Sequence, residues 1–536
     1  MSLSRFDRLD PQWRRLSPRM LLIHPVREVG RALPALAGLL LAGSRGGFEW
    51  WPLLGLLIVM ALSLLRWFTT RYRITAAQVQ LRTGLFRRRT ITTPIDRVRT
   101  VDITAHVLHR LLGLTRVAIG TGSSDRKREG LVLDGLGSTP AATLRADLLH
   151  RAGQPPLAPA AAGPPGWGAS PAPGGAAPPA AYQPAEQLLA RLDPSWLRFA
   201  PFTLSGVLSA LAILGLGWRI VGQSGIQADQ VSIVRSVSRH LEVTPVWLDA
   251  VQLGLGALVG VTLLSVGGYL LAFWNFRLTR HPGGSLHVSR GLITARATSI
   301  AERRLRGVEL SQLLPLRAVG GARLLAVATG LRVGRGAERG GTLLLPAAPA
   351  ERVRQVAAAV LNVAGLPVRP ALRRHGPAAR RRRYLRSVAP AMAVALALLG
   401  GWLAGGLPGW LPVLGVLLAA LAVPLAEDRF TGLGHALVGP YLISRLGSFN
   451  RRQVLLRRDG IIGWNIRQSF FQRRAGLATL TATTAAGRQA YPIVDLDADA
   501  ALRLAAAALP GLLDDFLTTS AGSDRSQPPA IRTRPE

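Results

Sequence analysis

The chain has 536 residues and a mass of 57.2 kDa, and 65 basic residues against 29 acidic ones give it a formal net charge of +36. It is also 49% hydrophobic, with a mean hydropathy of +0.25, and only 18% of its residues are charged. A nucleic-acid-binding protein this basic is rarely this apolar, and a soluble multidomain enzyme carries more charge of both signs. The absence of cysteine excludes disulfides, cysteine-ligated zinc and thiol catalysis. The composition favours a membrane protein whose basic residues lie outside its apolar segments.

Apolar segments of the length that crosses a bilayer, about 20 residues, occur in pairs along the chain. The first pair comprises residues 32–44 and 46–65, the second residues 199–218 and 250–276, and the third residues 387–426, interrupted by glycine and proline at 405–409. We therefore expect six transmembrane helices in three hairpins. Residues 32–44 are short for a span, and their alternative is a re-entrant or interfacial segment.

The arginines indicate the orientation of these helices. The predicted outer loops carry few arginines, among them Arg45, Arg235 and Arg239, whereas nearly every other arginine lies on the opposite side. Basic residues accumulate on the cytoplasmic side of membrane proteins. The sequence thus predicts a multi-pass protein of the cell (plasma) membrane, with both termini and the polar segments in the cytoplasm.

Glycine and arginine recur at constant spacing. Gly84 is followed by an arginine after 26 residues and by a glycine after three more, and the same spacing begins at Gly291 and at Gly447. This regularity predicts three repeats, each a membrane hairpin followed by about 85 residues of mixed polarity. The repeat-signature residues, for which a structural role is favoured over ligand contact, are Gly84, Arg110, Gly113, Gly291, Arg317, Gly320, Gly447, Arg473 and Gly476.

Each repeat changes from strand period to helix period. In the first repeat, residues 74–81, 88–93 and 98–103 are rich in β-branched residues, and 117–120 and 131–133 supply further strands. Gly84 suits a hairpin turn between the first two strands because glycine tolerates positive φ. A helix begins near Ser138-Thr139-Pro140. We expect a small β-sandwich or barrel with a C-terminal helix.

The motifs Tyr72-Arg73-Ile74-Thr75, Gly84-Leu85-Phe86, Pro94-Ile95-Asp96-Arg97-Val98 and Arg110-Leu111-Leu112-Gly113-Leu114 make the chain resemble the bacterial pleckstrin-homology (PH-like) domain membrane family, of the three-repeat type. The resemblance covers nearly the whole chain. It implies three β-rich PH-like domains on α-helical membrane hairpins, without an established catalytic activity. The second repeat departs most from the pattern, with Ala301-Glu302-Arg303-Arg304 in place of Pro94 to Arg97, so its binding surface is the least certain.

The expected organisation follows from the hairpins and the repeats. It comprises an N-terminal segment with hairpin 1 at 1–66, PH-like domain 1 at 67–152, a Pro/Ala/Gly linker at 153–186, hairpin 2 at 187–276, PH-like domain 2 at 277–365, a basic linker at 366–386, hairpin 3 at 387–426, PH-like domain 3 at 427–515 and a disordered tail at 516–536.

Patterns for catalysis and metal binding are weak. Residues 334–340 have the glycine spacing of a dinucleotide loop without a following helix, and His106 and His109 lack a third ligand at metal-site spacing. The predicted spans hold few ionisable groups at mid-depth, which argues against transport. We expect no enzymatic activity, no catalytic residue, no cofactor and no metal.

The arginine clusters carry the functional prediction. Candidate contacts to anionic surfaces are Arg87, Arg88, Arg89, Arg451, Arg452, Arg457 and Arg458. They would face the anionic inner leaflet, where each cation contributes on the order of 1 kcal/mol; the alternative is that they only enforce topology. The expected function is a scaffold that binds membrane lipids or a protein partner, and not nucleic acid. A second hypothesis is an export or antimicrobial-resistance component whose helices line a path through the membrane.

Overall fold

The computed structural model describes residues 13–23, parts of 54–99, residues 100–120, 131–141, 143–144, 186–203, 215, 246–330, 342–362, 371–512, 517–518 and 530–531. The chain divides into two compact units. One comprises residues 1–192 and 271–304, and the other residues 193–270 and 305–536. The division at 304/305 falls inside the range expected for PH-like domain 2.

Unit 1 contains a four-stranded antiparallel sheet near the start of the chain. Its order is β1-β2-β3-β4, with β1 at Arg14–Arg15, β2 at Arg71–Ile74, β3 at Gln78–Thr83 and β4 at Arg89–Pro94. Val79 and Leu81 of β3 are buried and alternate with half-buried neighbours, as the two-residue period of a strand requires. The sheet therefore presents one apolar face to a core.

A second, seven-stranded sheet of unit 1 joins two separate stretches of the chain. Its order is β7-β6-β5-β11-β10-β9-β8. The strands are β5 Thr100–Ala105, β6 Leu114–Gly120, β7 Leu131–Gly137, β8 Gln187–Arg191, β9 Arg277–His281, β10 Ser285–Arg290 and β11 Ala295–Ala301, and the short helix α1, Val107–Leu111, lies between β5 and β6. Val117, Ile119 and Leu133 share a core with Val79 of the first sheet.

Unit 2 repeats this arrangement. Its six-stranded sheet has the order β14-β13-β12-β17-β16-β15, and a three-stranded sheet has the order β18-β19-β20. The strands are β12 Leu305–Leu313, β13 Gly321–Ala328, β14 Leu343–Pro349, β15 Gly434–Val438, β16 Tyr441–Leu446, β17 Asn450–Arg457, β18 Gly463–Arg467, β19 Leu477–Thr483 and β20 Ala490–Asp497. We call β2–β7 the first segment, β9–β14 the second and β15–β20 the third.

Unit 2 also contains long and short helices. The helices are α2 Val246–Phe273, whose last three residues belong to unit 1, α3 Leu314–Ala318, α4 Ala350–Leu361, α5 Pro377–Leu403, α6 Trp410–Thr431, α7 Phe470–Arg474 and α8 Ala498–Ala508. Asp497 caps α8 by accepting a hydrogen bond from the Ala500 amide, as its position before the helix requires. Leu504 and Ala505 of α8 pack with Leu480 and Ile493 of the three-stranded sheet.

Three helices in the described part of the chain are long and apolar enough to cross a membrane. They span Gly254–Phe273, Pro377–Leu403 and Trp410–Thr431. The third predicted hairpin is present as α5 and α6, separated by a turn at residues 404–409. Most of the first predicted hairpin and residues 204–245 lie outside the described residues, apart from Gly215. Of the six expected helices, the structure therefore supports three.

Some boundaries differ from those expected. Residues 199–202 belong to a 3₁₀ helix, Pro194–Phe202, because Asp193 caps its start and Pro201 disfavours a regular α-helix there. The expected strand 74–81 is two strands, β2 and β3, joined by a turn in which the Thr75 hydroxyl donates to the Gln78 carbonyl. Helix α5 begins at Pro377, inside the expected basic linker. In the expected disordered tail, Leu517–Thr518 (β21) pairs with Ala530–Ile531 (β22).

Two buried histidines join the chain before α5 to β15. His375 Nε2 and His435 Nδ1 are 3.2 Å apart, and the backbone of Arg373 pairs with that of His435. Burial, together with the charges of His375 and Arg373, lowers the pKa of His435 to about 4. Burial also lowers the pKa of His375. Both rings are therefore neutral when the protein is folded near neutral pH.

Acidification is expected to destabilise unit 2 through His435. Because its pKa of about 4 in the folded protein lies below the ordinary value of 6.5, the unfolded chain binds the proton first as pH falls. This contribution to stability is complete above pH 6.5 and is lost progressively toward pH 4. The melting temperature of the detergent-solubilised chain should fall between pH 7.5 and 4.5, by less in His435→Gln. The exposed His106 serves as the control, and an equal effect of His106→Gln would contradict this assignment.

Candidate membrane-proximal surface

In each segment, the turn before the third strand contains a glycine with positive φ. The angles are 106° at Gly84, 104° at Gly291 and 98° at Gly447. A Cβ atom on Gly291 would lie 2.2 Å from the Thr294 carbonyl oxygen, and one on Gly447 would lie 2.2 Å from that of Asn450. The turns therefore need glycine for both its backbone freedom and its lack of a side chain.

Two of these turns contact the ends of candidate membrane helices. In unit 1, the amide of Leu292 donates to the carbonyl of Leu271, in the last turn of α2, at 2.9 Å. In unit 2, the Ser448 hydroxyl donates to Asp428, near the end of α6, at 2.6 Å. Each turn is thus fixed at the polar end of an apolar helix.

Apolar side chains project from the same turns. Leu292 and Ile293 are exposed in unit 1, and Phe449 in unit 2 is 62% exposed. Exposed apolar groups beside the end of a membrane helix suit the interfacial region of a bilayer, where aromatic and aliphatic side chains gain from partial burial. We refer to these turns as the apolar tips.

The repeated arginines hold the apolar tip of the following segment. Arg110, at the end of α1, donates to the Leu292 carbonyl at 2.6 Å. Arg317, at the end of α3, donates to the Ser448 carbonyl at 3.2 Å and to Asp428 at 2.7 Å. Arg473, at the matching position of α7, is exposed. We call Arg110 and Arg317 the junction arginines, and their contacts are those of a structural role.

The candidate anionic-surface arginines differ in their surroundings. Arg87 and Arg88 lie outside the described residues, and Arg89 begins β4. The other four have partners inside unit 2: Arg451 donates to Asp428 at 2.9 Å, Arg452 forms an ion pair with Glu309 at 3.8 Å, Arg457 pairs with Asp459 at 2.7 Å, and Arg458 donates to the Ala508 carbonyl at 2.6 Å. Burial lowers the pKa of Arg451 and of Arg452.

The short helix α7 presents an apolar and basic surface, of which the repeat pattern singled out only Arg473. Phe470 is 64% exposed and Phe471 is 72% exposed, and Arg473 and Arg474 beside them are exposed as well. Ser469 caps the helix in a capping box with Gln472. The signal available in the sequence was the dipeptide Phe-Phe one residue before Arg-Arg, which periodicity over so short a helix does not reveal.

Helix α5 is joined to α7 and to the adjacent sheet by a buried carboxylate. Asp495, fully buried in β20, forms ion pairs with Arg382 and, at 2.6 Å, with Arg383. Gln472 donates to Asp495 at 2.8 Å, and Arg382 donates to the Ser469 hydroxyl at 3.3 Å. Because Arg382 precedes the uncharged part of α5 by little more than one turn, α7 lies beside the polar start of a helix that is apolar enough to cross a membrane.

The histidines near α1 are engaged in unit 1. His109 Nε2 lies 3.2 Å from Asp134, and His106 Nδ1 lies 3.0 Å from the Thr294 hydroxyl. The described residues hold no group of three side chains placed to bind a metal ion.

The bacterial PH domain family model matches residues 24–152 and residues 389–509. Each range includes a predicted membrane hairpin and the strands that follow it, so the resemblance to bacterial PH-domain proteins is confirmed for both regions. The second segment lies outside both ranges. No curated protein and no solved structure matches the chain.

Removal of the Asp495 carboxylate should release helix α5 from the third segment. Asp495→Ala leaves Arg382 and Arg383 without their counter-charge in a largely buried site, which costs about 3–5 kcal/mol of stability. The control is Asp497→Ala, which removes only the cap of α8 and costs about 1 kcal/mol. Melting temperatures of the two variants in the same detergent measure the difference, and equal losses would show that the ion pairs contribute nothing beyond an ordinary hydrogen bond.

Proposed function

We propose that the chain is a non-enzymatic, multi-pass protein of the cell membrane that carries three PH-like domains as a scaffold. Its domains face the cytoplasm and bind anionic lipid headgroups or partner proteins at the envelope. The observation that carries this proposal is the position of the apolar tips and of α7 at the ends of candidate membrane helices, with arginines beside apolar side chains.

The third PH-like domain of this proposal is the second segment. It has the same element order as the first, since β9–β11, β12, α3, β13, β14 and α4 follow one another as β2–β4, β5, α1, β6 and β7 do, with a further helix beginning at residue 138. The second repeat glycine also has positive φ in all three segments: 66° at Gly113, 76° at Gly320 and 65° at Gly476. These similarities favour one fold used three times.

Lipid contact is assigned chiefly to α7. The exposed rings of Phe470 and Phe471 enter the interfacial layer, and Arg474 reaches the headgroups. By contrast, each of four other arginines has a hydrogen-bond or ion-pair partner within the chain and is less available to phosphates: Arg451, Arg452, Arg457 and Arg458. The cluster Arg87 to Arg89 keeps its proposed role as an anionic-surface contact.

A fluorescent probe on α7 tests this proposal in the full chain. Since the chain contains no cysteine, Phe471→Cys provides a single attachment site for an environment-sensitive dye. In nanodiscs, we expect a blue-shifted emission that nitroxide-labelled lipids quench, more strongly with phosphatidylglycerol than with phosphatidylcholine alone. Arg474→Ala should weaken the dependence on anionic lipid by about 1 kcal/mol, roughly fivefold.

The control places the dye at Ala490, which is exposed at the opposite end of β20 from Asp495. Five residues of extended chain separate Ala490 from Asp495 by roughly 17 Å, so the Ala490→Cys dye should remain in water. Equal quenching at both sites, or quenching at Phe471→Cys that ignores lipid charge, would contradict headgroup binding by α7.

A further inference from the structure

Two strand pairings join consecutive segments with one register. In unit 1, β5 pairs with β11 so that Thr100 lies opposite Ile300. In unit 2, β12 pairs with β17 so that Gly307 lies opposite Leu456. Thr100 and Gly307 each lie 13 positions before the second glycine of their own repeat. Their partners, Ile300 and Leu456, each lie nine positions after the turn glycine of the next segment. We call these pairings the junctions.

The junctions also share their side-chain chemistry. Asp102 of β5 is hydrogen-bonded to Thr298, directly opposite on β11, and interacts with the charge of Arg296. Glu309 of β12, at the matching position, is buried opposite Val454 and ion-pairs with Arg452. An acid on one strand and an arginine on its partner therefore recur, in addition to the junction arginines that hold the apolar tips.

Among the described strands, one edge strand at each end of the series of segments takes part in no junction. Within the described residues, β4 pairs only with β3, although its counterparts β11 and β17 each pair with a preceding segment. Likewise β18 pairs only with β19 among these residues, although its counterparts β5 and β12 each pair with a following segment. Asn465 of β18 is exposed, whereas Glu309 at the matching position is buried.

We propose that β18 of one chain pairs with β4 of a second copy of the same chain, forming a third junction between molecules. The register of the two internal junctions sets Gly463 opposite Thr93, Trp464 opposite Thr92, Asn465 opposite Ile91 and Ile466 opposite Thr90. The next position would set Arg467 opposite Arg89, and the like charges end the ladder there.

A second copy fits this position better than an unrelated partner for two reasons. The new junction continues an interface that the chain already forms twice. Its two strands, β18 and β4, hold the same places in their segments as the strands of the internal junctions. Copies inserted in one membrane also share one orientation. A head-to-tail interface preserves that orientation. A symmetric dimer about a two-fold axis in the membrane plane would instead invert one of the two copies. Head-to-tail contacts form a ring if the rotation closes and an open chain if it does not.

Arg473 completes the proposed junction. Its counterparts Arg110 and Arg317 donate to backbone carbonyls in the apolar tip of the following segment. Arg473 is exposed at the end of α7, in the last segment of the chain. In the assembly, its guanidinium donates to a backbone carbonyl of the second copy next to β4.

Cysteine cross-linking in native membranes tests the proposal on the full chain. Two differently tagged chains, one with Asn465→Cys and the other with Ile91→Cys, are co-expressed and treated with a short bis-maleimide. We expect a cross-linked product carrying both tags, about tenfold more abundant than for the control pair Ala490→Cys with Ile91→Cys, because strand pairing raises the local concentration of only the first pair. Asn465→Cys alone should give no product with itself, because a head-to-tail contact does not bring two β18 strands together.

A second pair of variants separates the junction from general folding. Arg473→Ala should lower the yield of the two-tag product about tenfold, since a charge-assisted hydrogen bond is lost. Arg503→Ala removes an exposed arginine of α8 and should leave the yield unchanged. A chain carrying both Asn465→Cys and Ile91→Cys should give a ladder of multimers.

Three outcomes would overturn the proposal. One is a two-tag yield no higher than that of the Ala490→Cys control. Another is a double-cysteine chain that cross-links only within itself, which would mean that β18 and β4 of one chain pair. The third is a product that joins Asn465→Cys to a different protein, which would assign this edge to another partner.

Discussion

The backbone ladder between consecutive segments is the interaction on which the rest of the structure depends. An open sheet edge exposes a row of unpaired amide and carbonyl groups, and proteins pair, cover or charge such edges. Here the edge of β5 is paired with β11 and that of β12 with β17, so each unit is built around a sheet made from two segments. The hydrophobic cores join the two halves of one segment, as Val79 with Val117 in the first and Leu456 with Leu480 in the third, and the shared sheets join each segment to the next.

This pairing explains why the turn glycines and the junction arginines recur in the sequence. The turn glycines bring the chain into a tight turn whose carbonyls face outward, and the junction arginines of the preceding segment donate to those carbonyls. The turns at Gly291 and Gly447 also contact the last residues of candidate membrane helices. In the second and third segments, one set of residues thus fixes the spacing to the preceding segment and the position relative to a candidate membrane helix.

Sequence reasoning located the elements well where their signal is local. The strand period of β6, the turn at Gly84 and the helix start at residue 138 are readable because each depends on neighbours within a few residues. The pairing of β5 with β11 is not readable in this way, since its partners are nearly 200 residues apart and each strand alone fits a sheet edge equally well. The pairs of Arg451 with Asp428 and of Arg452 with Glu309 were missed for the same reason.

These contacts change the interpretation of the net charge of +36. A basic residue near a membrane can enforce topology, bind lipid or stabilise the fold, and composition cannot separate the three. Arg382 and Arg383 precede an apolar helix, as topology-determining residues do, yet both pair with the buried Asp495 and join that helix to the third segment. Since the Coulomb attraction of a largely buried pair outlasts screening by salt, this joint is insensitive to ionic strength. The proposed contact of the exposed Arg474 with lipid would depend on salt and on lipid charge, so salt dependence separates such membrane contacts from structural ones.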